Sequence, residues 1–221
     1  MTEKVKIVTL GCEKNLVDSE IMSGLIEQRG YSLVDNREDA TVIIVNTCGF
    51  IDAAKEESVN TILELADLKE SGRLKALIVS GCLTQRYKQA LMEEMPEIDG
   101  IVGTGDFHQI NRIVDEALKG KKPALVGNPV FNYEQALPRK LSTARYTTYV
   151  KIAEGCDNNC TFCSIPIMRG KFRSRTIESI TAEAETLAAQ GVREISLIAQ
   201  DSTNYGTDLY DTFMLPTLLN R

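Results

Sequence analysis

Short continuous apolar runs alternate with helix-spaced apolar sets along the first half of this 221-residue chain. Residues 5–10 form one such run. Beyond them Leu16 or Val17, Ile21, Met22, Leu25 and Ile26 fall on one helix face, and Gly30 closes the segment. The unit then repeats. A β-branched run at 41–45 ends at Asn46, Thr47 and Cys48, and helix-period residues follow from about 52 to 68, up to Gly72. A third run, 74–79, ends at Ser80, Gly81 and Cys82 and leads into a helix predicted to stop near Met95 and Pro96. A fourth unit predicts a strand at 98–102 and a helix at 107–118 with Asp106 as its cap. Strands apolar on both faces, separated by helices, predict an α/β fold with a parallel sheet covered on each side.

From about 120 to 147 the periodicity dissolves among Pro123, Pro129 and Pro138, leaving at most an edge strand near Leu125. It resumes with a strand at 148–153, a loop over about 155–173, a helix at 177–190 carrying Ile177, Ile180, Ala184 and Leu187, and a strand at 194–199. This second half again reads βαβ. The expected organisation is an α/β domain at 1–125, a linker at 126–146 and a second domain at 147–221.

Composition alters this picture little: 43% hydrophobic and 25% charged residues are ordinary for a globular protein. The net charge of −6 argues against a chain that grips nucleic acid through its phosphates, which takes clustered Lys and Arg. One basic exception, Arg169, Lys171, Arg173 and Arg175, suits either a negatively charged ligand or partner, or a solvated loop. The N-terminal residues do not read as a signal segment, and no apolar run approaches the roughly eighteen residues of a membrane span, so the expected compartment is the reducing cytoplasm.

The cysteines carry the chemistry. Six are present, in two sets of three. Cys12, Cys48 and Cys82 each end a predicted strand in successive units, and in an open α/β sheet the carboxyl ends of the strands share the edge where ligands bind. Cys156, Cys160 and Cys163 form CxxxCxxC on the loop after the first strand of the second domain. Three thiolates can hold an iron-sulfur cluster while leaving one iron without a protein ligand. Zinc would want a fourth ligand at matching spacing, and the only histidine, His108, lies far upstream in a position suited to a surface or packing residue. Disulfides fit a reducing compartment poorly, and buried space-filling thiols remain the plain alternative for the first trio. Gly103 and Gly105 lack the third glycine of a dinucleotide fingerprint and read as a turn.

CxxxCxxC after a first strand resembles the radical S-adenosylmethionine enzymes. GCDNNCTFCSIPIMRGKFRSR, with an upstream domain bearing three separated cysteines, looks like the methylthiotransferases of that class. The wording GCEKNLVDSE, NTCGFIDAAKEES and GCLTQRY resembles the branch that modifies ribosomal protein uS12, whereas tRNA-modifying relatives read closer to GCQMN after the first cysteine. The resemblance covers nearly the whole chain and implies a methylthiotransferase N-terminal domain followed by a radical SAM partial barrel, of which residues 147–221 would hold two to three βα units and so be truncated.

It also implies the cofactors and partners. One 4Fe-4S cluster on Cys156, Cys160 and Cys163 would chelate S-adenosylmethionine and cleave it to a 5'-deoxyadenosyl radical. A second, on Cys12, Cys48 and Cys82, would deliver a methylthio group to the β-carbon of an aspartate of uS12. An external electron donor such as a flavodoxin is implied. Phe162 stands where the family packs an aromatic ring by the adenine, or else is core. Gln200 and Asp201, at the end of the second barrel strand, would bind the cofactor or cap the next turn. A tRNA adenosine substrate, and an iron-sulfur electron-transfer or scaffold module without SAM chemistry, are the competing readings.

Overall fold

The computed structural model describes residues 2–132 and 137–221; positions 133–136, within the expected linker, lie outside the described residues. The first half runs β1 (Lys4–Thr9), α1 (Glu13–Arg29), β2 (Ser32–Leu33), β3 (Val42–Thr47), α2 (Asp52–Glu70), β4 (Ala76–Gly81), α3 (Cys82–Glu94), β5 (Gly100–Val102), α4 (Ile110–Ala117) and β6 (Ala124–Leu125). All strand pairs in it are parallel, in the order β2-β1-β3-β4-β5-β6.

The two-residue alternation of a strand explains the layers. Val42 and Ile44 point to one face and pack with Val17, Ile21, Met22 and Ile26 of α1 and Ile110, Ile113 and Val114 of α4. Ile43 and Val45 point to the other and pack with Ile62 and Leu65 of α2 and Leu83 and Leu91 of α3. Every residue of β3 is buried, as a strand covered on both faces requires. Because β1 neighbours both β2 and β3, the chain reverses its direction of travel across the sheet between β1 and β3, and such a switch point opens a crevice at the strands' carboxyl ends.

The second half contains β7 (Thr147–Lys151), β8 (Ala153–Glu154), α5 (Ile165–Arg169), β9 (Arg173–Ser174), α6 (Ile177–Ala189), β10 (Glu194–Ile198), α7 (Thr207–Tyr210) and α8 (Leu215–Leu219). β7 and β10 pair in parallel, and β8 pairs antiparallel with β9. Val150, Ile152, Ile180 and Leu187 form its core with the fully buried Tyr205.

Several elements differ from expectation. The strand expected at 148–153 is interrupted at Ile152, whose N–H donates to Ile198 O while its carbonyl accepts from Arg175 N, so the chain changes partner there. The expected helix at 107–118 opens with a 3-10 turn, Phe107–Gln109, and Asp106 does not cap it. Its carboxylate accepts instead from Gly127 N at 2.8 Å. The expected loop at 155–173 contains helix α5, begun by a proline in its first turn. His108 is half-buried and stacks on Phe131 at 3.9 Å between ring centroids, a packing role.

The segment joining the halves is held to both of them. Pro138 lies against Gly24 of α1, so closely that a Cβ there would meet Pro138 O at 2.4 Å. Arg139, its side chain 8% exposed, pairs with Glu20 of α1 at 2.6 Å and Glu183 of α6 at 2.8 Å.

Candidate functional site

The trio sits where the topology predicts. Cys12 occupies the cap position of α1, Cys48 follows β3, and Cys82 opens α3 directly after β4; these three strands are adjacent in the sheet. Two glycines let the arms approach. Gly11, at φ +88°, has Cys48 so near that a Cβ would lie 2.8 Å from Cys48 Cβ and 3.2 Å from its Sγ. A Cβ on Gly49 would lie 3.0 Å from the carbonyl carbon and oxygen of Cys82. Backbone contacts fix the arms further. Ser58 Oγ accepts from Cys48 N and donates to Cys48 O, and Thr84 Oγ1 donates to Gly81 O and Val102 O.

Asn15 links all three arms. Its Nδ2 donates to Leu10 O at 2.9 Å and Thr47 O at 3.0 Å, just ahead of Cys12 and Cys48, while its Oδ1 lies 3.9 Å from Cys82 Sγ. The side chain is fully buried, so each of these polar atoms has to find a protein partner.

The triplet is held differently. Cys156 N donates to Gly170 O, and Cys163 N to Cys160 O in a tight turn. Asp157 accepts from Phe172 N at 3.0 Å, and Asn158 donates to Asp201 at 3.1 Å. Asp201 also accepts from Thr203 Oγ1 and Asn204 N. It therefore caps the following turn and anchors the triplet loop, and the hydrogen bonds from Thr203 and Asn158 lower its carboxyl below 3.8.

One cavity of about 450 Å³ joins the two regions. It is lined by Cys12, Cys48 and Cys82 from the first half and by Cys163, Met168, Arg169 and Gln200, among others, from the second. Cys156, Cys160, Phe162 and Asp201 are not in its wall. Phe162 is 85% exposed, which rules out the core alternative. Cys12 and Cys160 are exposed and Cys82 is buried.

The basic segment after the triplet is a solvated loop only in part, since Lys171 is exposed and Arg173 half-buried. Arg169 and Arg175 are buried and paired within the chain. Arg169 donates to Asp18 at 2.8 Å and to Asn15 Oδ1 at 2.6 Å, both on α1. Lys151 contacts Asp18 at 2.5 Å and Glu154 at 2.7 Å, while Lys14 donates to Ala153 O and lies 3.3 Å from Glu154. Arg175 pairs with Glu183 at 2.6 Å. Although burial opposes it, Cys82, Asp18 and Glu154 hold the Arg169 guanidinium charged well above its ordinary range. Burial works the same way against Glu154, yet Lys14, Lys151 and Arg169 hold it well below the usual carboxylate range. Burial pushes the Cys82 thiol up, and Arg169 pulls against that shift.

Neither Asn15 nor Asp18 was singled out by pattern. Their one sequence signal is that they lie three residues apart, on one face of α1 beside its apolar stripe.

The donor set suits an iron-sulfur cluster. Among the described residues no three His, Cys, Asp or Glu side chains are grouped to hold a single ion. Thiolates are the usual ligands of iron-sulfur clusters, and Cys12, Cys48 and Cys82 line one cavity.

Residues 4–103 match the uncharacterized protein family UPF0004, and residues 150–219 match the radical SAM superfamily. Over 218 residues the chain is 55% identical to the ribosomal protein uS12 methylthiotransferase RimO of Desulforamulus reducens, covering 98% of this chain and 49% of that protein. It is 54% identical over 216 residues to the RimO of Pelotomaculum thermopropionicum, with the same coverages. Against that of Heliobacterium modesticaldum it is 52% identical over 221 residues, covering 100% of this chain and 48% of the relative. The chain thus spans about half the length of the curated relatives it matches. In fold it is similar to the radical S-adenosylmethionine methyltransferase TsrM of Kitasatospora setae, solved with cobalamin and a [4Fe-4S] cluster bound, at TM-score 0.60 and 15% identity over 100% of this chain and 52% of that one. The chain thus joins a UPF0004 match, whose sheet carries three strand-end cysteines, to a radical SAM match, and nearly its whole length is similar to about half of the uS12 methylthiotransferases named above.

Proposed function

We propose that these residues form the two-cluster site of a uS12 methylthiotransferase, which adds a methylthio group to the β-carbon of an aspartate of that ribosomal protein. The supporting observation is the cavity that Cys12, Cys48 and Cys82 share with Cys163 and Gln200. Cys156, Cys160 and Cys163 would hold one 4Fe-4S cluster with an iron open to S-adenosylmethionine, and Cys12, Cys48 and Cys82 would hold the other. When bound, these groups supply one-electron cleavage of the sulfonium and a sulfur atom for transfer, with electrons from a donor such as flavodoxin. Gln200 lines the cavity and would orient the cofactor, while exposed Phe162 is free to close over its adenine. Asp201 acts by holding the triplet loop through Asn158. The work is assigned to the cytoplasm; among the described residues no helix is long and apolar enough to cross a membrane.

Anaerobic reconstitution of the chain with iron and sulfide is expected to load about eight irons, two clusters of four. Four or fewer would reject the two-cluster site. Full-length protein carrying this segment, given S-adenosylmethionine and reduced flavodoxin, is expected to add a methylthio mass to uS12. Transfer to tRNA alone would replace the substrate assignment.

A further inference from the structure

We propose that Arg169 is a positioning residue for the trio site: its guanidinium, carried by the radical SAM half, orients Asn15 beside Cys82 and sets the charge environment of the upstream cluster. This inference rests on the two-cluster reading.

Three observations carry it. Asn15 spends both amide hydrogens on the carbonyls ahead of Cys12 and Cys48, so its Oδ1 is the atom left to face Cys82 and a donor from elsewhere. That donor is Arg169, at 2.6 Å, whose second nitrogen is fixed by Asp18 at 2.8 Å and approaches Glu154 at 3.4 Å. Arg169 also lines the cavity beside all three cysteines.

The helix presenting Arg169 is held to the first half at both ends. At its start Arg86 of α3 donates to Gly49 O, next to Cys48, and to Ser164 Oγ, next to Cys163, both at 3.1 Å. Near its end Thr104 donates to Met168 O. The guanidinium thus occupies a defined place relative to the trio. A buried charge acts through a lower effective dielectric than a surface one and is screened less by salt.

A simple latch between the halves would need only the pairing with Asp18, since Glu154 lies in the same half as Arg169. The third contact, to the amide that ties the trio together, is what a latch does not require. A planar fork can hold Asn15 and Asp18 at once, and an ammonium cannot reproduce that geometry.

The test uses the chain with Cys156, Cys160 and Cys163 changed to alanine, so that only the trio can take up a cluster. It is reconstituted anaerobically with iron and sulfide and titrated potentiometrically. Arg169→Gln is expected to make the cluster harder to reduce, because a nearby cation favours the more negative reduced state. The expected change is about tenfold in the reduction equilibrium, or about 59 mV for one electron. Arg169→Lys keeps the charge and is expected to hold the reduction equilibrium within about twofold of the parent while broadening the electron paramagnetic resonance signal of the reduced cluster. Arg139→Gln, which breaks another buried pair between the halves further along α1, is expected to leave potential and signal unchanged. Loss of iron from Arg169→Gln with retention in the Arg139 variant also supports the assignment. A normal potential and signal in Arg169→Gln, or an equal shift in Arg139→Gln, overturns it. A parent trio that binds no iron overturns the two-cluster reading and this inference with it, an outcome distinct from a parent cluster that ignores Arg169.

Discussion

The trio and the triplet offer similar ligands through opposite constructions. Cys12, Cys48 and Cys82 come from three strand ends, and their places follow from sheet register, two close-approach glycines and the buried amide of Asn15. Cys156, Cys160 and Cys163 lie within eight residues on one loop, fixed by a few backbone bonds and by Asp157 and Asn158. A site assembled from strand ends inherits the stiffness of the sheet. One built on a loop keeps local freedom, which suits binding a cofactor that must enter and leave. The buried charges around Asp18 and Glu154 are where the strand-end site meets the loop site.

The largest expected effect comes from breaking that junction. Asp18 is the shared partner of Lys151 and Arg169, so Asp18→Asn leaves two buried cations short of a carboxylate. A loss of roughly 3–5 kcal/mol is expected on removing one member of a buried pair. Chemical denaturation of the apo chain should show it, and a change under about 1 kcal/mol would mean that the network is far better hydrated than its burial indicates.

Next in size is Gly11→Ala, which should separate the two sites. A residue other than glycine at φ +88° costs on the order of 1–3 kcal/mol, and the added Cβ would press on Cys48. Iron bound by the trio should fall while the triplet loads normally, read in backgrounds carrying one set at a time. Equal loss from both would show that the triplet depends on the trio's geometry and that the two sites are not independently built.

The triplet was legible in sequence because its three ligands are neighbours in the chain. The trio needed one further step, the recognition of repeated βα units, since doubly apolar runs such as 41–45 announce a parallel sheet and parallel sheets gather strand ends on one edge. Arg169 could not be read this way. Charged residues beside a cysteine loop are usually solvated, and only the fold reveals that α1 presents Asn15 and Asp18 to them. Asp106 failed as a cap for a related reason: its carboxylate was claimed by Gly127 N, a partner remote in sequence. Local patterns foretold elements and chain-local ligands, while side chains paired across the two halves stayed hidden until the halves were seen together.

The smallest effect concerns the loop alone. Hydrogen bonds from Thr203 and Asn158 lower the Asp201 carboxyl below its ordinary value of 3.8. A carboxylate whose folded pKa is depressed contributes stability that is present above 3.8 and is lost as pH falls through the folded value. The group is only half-buried, so the contribution is local and modest. Hydrogen exchange over residues 157–163 should therefore quicken as the pH is lowered below 3.8, beyond the intrinsic change in exchange rate, while exchange over β3 and β4 does not. Asp201→Asn should remove most of that acid response and leave faster exchange in the loop near neutral pH, since an amide cannot replace a carboxylate that accepts from Asn158, Thr203 and Asn204 together. A parallel acid response in the strands would indicate that the triplet loop unfolds with the sheet, and the two constructions would then be one cooperative unit.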